Sequence, residues 1–347
     1  MTKPFLRSIS KNELIQWIAS VGEMPFRAKQ IQDWLWKKGV FEIDEMTNLP
    51  DSLRSKIKES FSWDRIILLT FQKAGDDTIK AAFQLHDKRV IEGVIIPSNK
   101  RFTACISTQV GCPVKCAFCA TGQLGFMRNL SCGEIFDQVI ELNRLSYEHF
   151  GHYLTNIVVM GMGEPLLNYD NTIKALQMVC SKDGLGWSAQ RITLSTVGIP
   201  EGIKKLADEE LRIELAISLH SAIQEKRETL IPFAKKYQLD ELLNALKYYS
   251  QKTQQQITFE YLMLKGINDS KEDAKALIRL ASMINVKINL IHYNYVDAIN
   301  YLPSKEEQLI FFKNLLIEKH LNVTVRQSRG KDIDAACGQL ANKILKK

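Results

Sequence analysis

The cysteines are the residues whose type and spacing most directly suggest chemistry. The chain has seven of them, and four fall within residues 105–119. Cys112, Cys116 and Cys119 form a C-x3-C-x2-C pattern in a loop flanked by glycines. Three thiolates at this spacing can hold three irons of a [4Fe–4S] cluster and leave the fourth iron open to another ligand. The pattern therefore favours a cluster with one open iron.

Two other interpretations of these cysteines stay open. A structural zinc needs a fourth protein ligand, usually from a second C-x2-C pair, and the nearby Cys105 and Cys132 form no such pair. Core cysteines are the other possibility, although three in one glycine-flanked loop would be an unusual core. An odd, clustered set argues against an extracellular disulfide framework, so we expect reduced thiols. Cys132 and Cys180 fall in helical patterns, and we interpret both as structural.

Strands and helices alternate after residue 102 and must position this loop. The strand patterns are FTACISTQV, TNIVVMGMG, QRITLSTVG, RIELAISLH, QITFEYLML and KINLIHYNY. This order predicts a parallel sheet with helices outside it, either doubly wound or a partial barrel. No G-x-G-x-x-G follows the first strand, which disfavours a dinucleotide-binding fold. A final VTVRQSRG strand and a short helix are expected to close the chain.

Polar residues stand where these strands end, and in such sheets chemistry gathers at the carboxyl ends of the strands. The sequence therefore predicts one polar rim beside the cysteine loop. After the first strand has led to the cysteines, the later strand ends carry Gly161-Met162-Gly163-Glu164, Ser195-Thr196, Ser218-Leu219-His220 and Tyr293-Asn294.

Two regions precede the alternating pattern. Residues 1–62 show three amphipathic helical patterns: the first with Asn12 as a candidate cap, the second ending at Gly39, the third after Pro50. Residues 63–100 show three strand patterns with turn residues between them, which predicts an antiparallel stretch. The tryptophans of the helical region are interpreted as its core: Trp17, Trp34 and Trp36.

Composition narrows the class of protein. The 347 residues are 45% hydrophobic and 24% charged, as in ordinary folded proteins, and no stretch approaches the ~20 apolar residues of a membrane helix. The N-terminus has no secretory pattern, so we expect a cytoplasmic protein with no membrane association. The net charge of +7 is mild and compatible with a polyanionic partner.

An open cluster at the end of the first strand of a β/α array resembles the radical S-adenosylmethionine (SAM) enzymes, in which the open iron binds SAM and an electron splits it to a deoxyadenosyl radical. Longer motifs resemble the RlmN family, which methylates C2 of an adenosine in 23S ribosomal RNA and, in many members, of an adenosine beside the tRNA anticodon. The segments that carry this resemblance are MPFRAKQ (24–30), TQVGC (108–112), GFMRNL (125–130), GMGEPLLN (161–168) and DIDAACGQL (332–340).

The resemblance implies a fold and its division. The fold would be α/β, a partial (β/α)6 radical SAM barrel with a small helical accessory domain and an antiparallel β linker. The implied parts are an RNA-contacting helical domain at 1–62, the linker at 63–100, the radical SAM core at 101–325, and a C-terminal segment at 326–347 that carries a methyl-bearing cysteine.

The resemblance also implies the cofactors and their ligands. Cys112, Cys116 and Cys119 would hold one [4Fe–4S] cluster, and two SAM molecules would be used per turnover. The positions matched to SAM binding are Gly163, Glu164, Ser195, Ser218, Leu219, His220 and Asn294.

Three further residues match the catalytic positions of the family. Cys337 would take a methyl group from the first SAM, and a radical made from the second SAM would activate that group to add to C2. Cys105 would resolve the protein–RNA adduct by forming a transient disulfide with Cys337, and Glu92 would accept the C2 proton. Taken alone, Cys105 could equally be a buried strand cysteine.

The implied partners are 23S rRNA and tRNA, an external electron donor such as flavodoxin or ferredoxin, and no second subunit. The target base must leave its stack to present C2. We expect phosphate contacts near the active rim from Arg101, Lys115, Arg128, Arg326, Arg329 and Lys331.

Three rival interpretations remain. The sister family Cfr methylates C8 of the same adenine with the same cysteine pair, although the segments 123–126, 165–168 and 328–330 look more like RlmN. A non-catalytic RNA-binding metalloprotein would need neither Cys105 nor Cys337. A radical SAM sulfur-insertion enzyme would need a second set of cluster cysteines, which the sequence lacks.

Overall fold

A continuous β-sheet organises the chain. The computed structural model describes residues 3–40, 42–63, 65–297 and 299–341, and within them ten strands join in one sheet while two more form a separate hairpin. The strands are β1 (Ile67–Lys73), β2 (Ile79–Gln84), β3 (Val90–Ser98), β4 (Arg101–Cys105), β5 (Gln109–Gly111), β6 (Phe126–Asn129), β7 (Asn156–Val159), β8 (Ile192–Thr196), β9 (Glu214–Ser218), β10 (Ile257–Met263), β11 (Val286–His292) and β12 (Asn322–Arg326).

The sheet order decides between the two predicted architectures. It runs β1-β2-β3-β4-β7-β8-β9-β10-β11-β12, antiparallel up to β4 and parallel from there on. Each parallel strand is added beside the previous one, whereas a doubly wound sheet reverses direction at a switch point. The partial barrel is therefore confirmed, and the strands of residues 63–100 extend its sheet.

The helices fill the intervals between strands. Those after β6 carry the apolar faces that cover the sheet, and β5 with β6 forms the separate hairpin that leads into and out of the cysteine loop. The helices are α1 (Lys11–Ser20), α2 (Phe26–Gln32), α3 (Asp51–Ser60), α4 (Ala120–Gln123), α5 (Cys132–Phe150), α6 (Tyr169–Cys180), α7 (Pro200–Asp208), α8 (Gln224–Leu230), α9 (Leu239–Thr253), α10 (Lys271–Ala281) and α11 (Glu306–Ile317).

The N-terminal helices form as expected, with one correction. The cap of α1 is Ser10 and not Asn12: the Ser10 hydroxyl accepts from the Glu13 N–H, and the Glu13 carboxylate accepts from the Ser10 N–H at 2.6 Å. This reciprocal pair satisfies two amide donors, which Asn12, already inside the helix, cannot do. The helix α2 continues as a π-helical turn (Asp33–Lys38) that ends at the left-handed Gly39.

Only part of the tryptophan prediction holds. Trp36 is buried and packs edge-on against Phe136 of α5, while Trp17 and Trp34 are half-buried at the margin of the core. Within the described ranges, no helix combines the length and apolar character that crossing a membrane requires. After the VTVRQSRG strand, where a short helix was expected, residues 331–341 hold a 3-10 turn (Lys331–Ile333), and residues 342–347 lie outside the described residues.

Candidate active site

The cysteine loop is fixed at both ends by backbone hydrogen bonds. The Cys112 N–H donates to the Gly125 carbonyl at 3.0 Å, and the Ala117 N–H donates to the Leu230 carbonyl at 2.9 Å. Gly111 makes this closeness possible, because its φ is +74° and a Cβ there would lie 1.7 Å from the Gly125 oxygen. The hairpin and α8 therefore hold the loop with its three cysteines facing one cavity.

The three thiols suit a cluster better than a single ion. Burial raises the pKa of Cys112 to about 12, and burial also raises the pKa values of Cys116 and Cys119, so a strong cation is needed to hold them as thiolates. Among the described residues, no group of three or more His, Cys, Asp or Glu side chains is arranged to hold a metal ion. A [4Fe–4S] cluster joins its cysteines through several irons and so accepts wider spacing, which a zinc site does not.

The glycine-rich segment after β7 lies against the chain that leads to the loop. The Thr108 and Gln109 N–H groups donate to the Met162 carbonyl, and a Cβ on Gly163, whose φ is +106°, would lie 2.6 Å from the Gln109 Cβ. Glu164 then connects two strand ends, since one carboxylate oxygen accepts from the Leu166 N–H and the other from the Val197 N–H. Burial raises the pKa of Glu164 to about 7, although the hydrogen bonds that its carboxylate accepts act to lower that pKa.

The remaining predicted SAM positions lie on neighbouring strand ends. Ser195 and Ser218 line the cavity with their hydroxyls 3.3 Å apart. His220 also lines it; its Nδ1 accepts from the Leu262 N–H, and burial lowers its pKa to about 3, which leaves the ring neutral. Leu219 is fully buried beneath the rim. Asn294 donates through Nδ2 to the Cys337 carbonyl at 3.3 Å.

Several buried polar atoms at this rim have capacity for a polar ligand. The Glu260 Oε2, Tyr293 hydroxyl and Asn294 Oδ1 have no hydrogen-bond partner within the described part of the chain. Glu260 and Tyr293 line the cavity that the three cysteines also face. Because a buried polar atom without a partner costs free energy, these atoms fit a cofactor rich in polar groups, as SAM is.

Cys337 lies where two cavities meet. It is exposed and lines the first cavity with the three cluster cysteines, and it lines a second cavity together with Cys105. Cys105 is a buried free thiol whose pKa is raised to about 12 by burial and by Cys337, while Arg326 opposes the shift. The structure thus places in one cavity the two cysteines that the family resemblance pairs.

Glu92 lies apart from these cavities. Its side chain is fully buried; one carboxylate oxygen accepts from the Ala341 N–H at 2.9 Å, and the other lies 3.7 Å from the Lys80 Nζ. Among the described residues it lines neither cavity, and Ala341 places the C-terminal segment directly against its carboxylate. A role for Glu92 at the substrate requires that this segment move.

The structure adds Arg326 and Glu260 as residues of the site. Arg326 lines both cavities, and the charges of Cys337 and Glu260 raise its pKa against burial; the sequence had suggested it only as a phosphate contact. Of the other suggested phosphate contacts, Arg128 is bound by two carboxylates, those of Asp87 and Glu134. Its charge is therefore already neutralised.

The fold and site together define the chain as a radical SAM enzyme. The family model described as the Radical SAM superfamily matches residues 106–281. The structure also resembles a crystal structure of a radical SAM methyltransferase from Sphaerobacter thermophilus, with a TM-score of 0.91, 37% identity, and coverage of 97% of this chain and 99% of that one. Such enzymes use a [4Fe–4S] cluster and SAM.

Closer relatives identify the family. The model described as Ribosomal RNA large subunit methyltransferase N-terminal domain matches residues 6–62. A probable dual-specificity RNA methyltransferase RlmN from Flavobacterium johnsoniae is 46% identical over 341 residues, covering 98% of both chains. Another, from Thermotoga petrophila, is 45% identical over 342 residues, covering 98% of both. The chain belongs to the RlmN family of radical SAM methyltransferases.

Proposed function

We propose that this protein methylates C2 of an adenosine in 23S ribosomal RNA and of an adenosine beside the tRNA anticodon. The observation that carries the proposal is the place of Cys337, which lines the cavity of the cluster cysteines on one side and the cavity of Cys105 on the other. A cysteine in this position can receive a group from a cofactor bound in the first cavity and be attacked by a thiolate from the second.

Each cysteine has a separate task. When bound, the cluster and SAM supply a methyl group and the means to make a carbon-centred radical. The Cys337 thiolate would take the methyl group and hold it as a thioether. Loss of one hydrogen atom from this group to the radical would let its carbon add to C2, and loss of the C2 proton, together with one electron returned to the oxidised electron donor, would leave protein and RNA joined. The Cys105 thiolate would then attack the Cys337 sulfur, the released carbon would take a proton to become the methyl group, and the disulfide formed would be returned to thiols by a reductant.

Glu92 is the proposed acceptor of the C2 proton. The end of the C-terminal segment is held beside it by dispersed hydrogen bonds, among them the Ala341 N–H to Glu92 and the Thr121 hydroxyl to the Leu340 carbonyl. Displacement of residues 340–341 would free one carboxylate oxygen of Glu92 beside the segment that carries Cys337. In this scheme, Glu92 takes the C2 proton only after the adenine has entered the site and displaced these residues; binding of the cofactor alone is not enough.

Other parts of the proposal concern partners. An external one-electron donor of the flavodoxin or ferredoxin type would reduce the cluster, and the protein would act as a monomer in the cytoplasm. Two exposed cations near the rim, Lys115 and Lys331, would contact RNA phosphates, and the helical region at 1–62 would add to that surface. Arg101, also expected there, begins β4 and so lies at the opposite end of that strand from Cys105. The C-terminal segment at 326–347 would work as a unit, separate from the core at 101–325 and the linker at 63–100.

The test replaces the resolving cysteine. Cys105→Ala should load its cluster and methylate Cys337, then accumulate protein covalently linked to RNA, because no thiolate remains to release the adduct. Denaturing gels of anaerobic reactions with an unmodified rRNA fragment would detect the slower-moving species. Cys180→Ala is the matched control, since Cys180 is a half-buried free thiol on α6, and it should turn over normally.

Two outcomes would contradict the scheme. Normal turnover by Cys105→Ala would remove the resolving role of that thiol. RNA binding that is unchanged in both Cys105→Ala and Cys337→Ala, with no methylation by the unsubstituted protein, would favour the non-catalytic RNA-binding alternative.

A further inference from the structure

A buried arginine lies beside the cysteine loop. Arg227, on α8, has a side chain that is 1% exposed and is among the largest fully buried side chains of the protein. One guanidinium nitrogen donates to the Val197 carbonyl, and the Nε has no hydrogen-bond partner within the described residues. No carboxylate of the described chain lies within ion-pair distance of it. A buried cation in this state is costly unless an anion is nearby.

The cluster site lies directly beside this arginine, because Val197, whose carbonyl accepts from Arg227, lines the cavity that the three cluster cysteines face. Burial lowers the pKa of Arg227 to about 10, and the group that acts against this shift is the Cys116 thiolate. On the other side, burial and the charge of Arg227 lower the pKa of His220, so this imidazole is neutral and adds no second cation. The guanidinium is therefore an isolated positive charge beside the loop whose cysteines would hold the cluster.

The packing fixes this charge in place. The carbonyl of Leu230, at the end of α8, accepts the Ala117 N–H of the cysteine loop. Leu230 and Ile231 share one apolar cluster with Val114 and Ala120, which lie on either side of Cys116. Because α8 and the loop form one apolar unit, the charge cannot turn to solvent and is poorly screened.

A second guanidinium of the site, that of the half-buried Arg326, lies near different sulfurs. Arg326 interacts with Cys337, Glu260 and Cys105, while Arg227 interacts with Cys116. Arg326 is thus associated with the carrier and resolving thiols, and Arg227 is associated with the cluster loop. This division makes Arg227 a candidate for a role that concerns the cluster alone.

We propose that Arg227 is a fixed counter-cation of the iron–sulfur cluster and raises its reduction potential. Reduction adds one negative charge to the cluster, and a nearby positive charge in an apolar setting stabilises the reduced form more than the oxidised form. Entry of the electron that starts the radical step is thereby made easier. Arg227 acts through the cluster and is a positioning residue. The inference rests on the cluster and not on the identity of the RNA.

The experiment measures the cluster potential directly. Arg227→Met, Arg227→Gln and Arg227→Lys would be reconstituted anaerobically, assayed for iron, and titrated electrochemically while the EPR signal of the reduced cluster is followed, without RNA. Arg227→Gln keeps a donor for the Val197 carbonyl, and Arg227→Lys keeps a charge. Lys226→Met is the control, because it removes the same charge one residue away, from a side chain bound to Asp273 at 2.8 Å.

We expect the neutral variants to load iron and show a more negative midpoint, with Arg227→Lys between them and the unsubstituted protein, and Lys226→Met unchanged. If both neutral variants lose iron while Arg227→Lys stays loaded, the charge is needed to hold the cluster, which also supports the proposal. An unchanged midpoint in a loaded neutral variant, or loss of iron by all three, would overturn it. None of these readouts depends on methylation, so failure here leaves the proposed function intact.

Discussion

Asn168 is a buried side chain that holds three segments of the active rim together. Its Nδ2 donates to the carbonyls of Thr108 and Leu130, at 2.8 Å each, and its Oδ1 accepts from Asn171. These two carbonyls lie on the chains that enter the cysteine loop and leave the hairpin after it. The sequence marked Asn168 only as part of a family motif, because nothing local shows which distant carbonyls it reaches.

We expect Asn168→Ala to lower the free energy of unfolding by about 2–4 kcal/mol. The Leu130 carbonyl loses its donor, which costs about 1–3 kcal/mol, and the Thr108 carbonyl keeps only its bond from the Leu130 N–H, a loss of about 1 kcal/mol. Urea denaturation of the cluster-free protein measures the loss. Asn171→Ala is the control: its half-buried side chain donates one bond to Asn168, and the expected loss is about 1 kcal/mol. Equal losses in the two variants would show that Asn168 does not hold the rim as described.

The C-terminal segment is the element on which the chemistry depends. Two aspartates join the start of this segment to the turn between β1 and β2. Asp76 of the turn accepts from the Gly330 N–H at 3.0 Å, and Asp332 of the segment accepts from the Gly75 N–H at 2.9 Å. Partial burial acts to raise the pKa of Asp76, but hydrogen bonds from Thr78 and Gly330 and the charge of Arg329 lower it overall. The Asp76 side chain of the β1–β2 turn is therefore ionised and holds the start of the segment by a hydrogen bond from the Gly330 N–H; we call this contact the clasp.

Removing that carboxylate should loosen the segment without opening the core. In Asp76→Ala we expect amide hydrogen exchange of residues 330–341 to be about 5–30-fold faster, as a loss of 1–2 kcal/mol in local stability implies. Asp77→Asn is the control, because Asp77 pairs only with Lys73 on the surface and asparagine tolerates its φ of +66°. Unchanged exchange in Asp76→Ala would mean that the clasp does not hold the segment.

Local pattern was enough to predict most elements. Strand patterns predicted β1 to β4 and β7 to β12, and most of these strands place buried residues in the core, whereas β1 and β12 have none that is fully buried. The cap of α1 could also have been found, since Ser10 and Glu13 have the spacing of a capping box. The contact between Ala341 and Glu92 could not have been predicted, because the two residues are 249 positions apart in the sequence. The burial of Arg227 could not be predicted, because a short helix rich in charged residues has the sequence pattern of an exposed helix.

At the scale of the whole molecule, one sheet and one buried ion pair join the parts. The antiparallel strands pair directly with the parallel ones through β3 and β4. Arg7 pairs with Asp137 of α5, donates to the Leu35 and Val40 carbonyls, and lies over the ring of Trp36. The N-terminal helices are therefore anchored to the helix that begins just after the cysteine hairpin, so a surface on them keeps a fixed position relative to the active rim.

The measurement that tests the central claim is nucleoside mass spectrometry of an unmodified 23S rRNA fragment and of tRNA after anaerobic reaction with reconstituted protein, reductant and SAM. The account predicts 2-methyladenosine with the unsubstituted protein and none with Cys337→Ala, whose cluster should remain loaded. 8-Methyladenosine would contradict the assigned carbon and favour the sister chemistry. Absence of any methyladenosine, from a protein that still cleaves SAM, would contradict the RNA substrate itself.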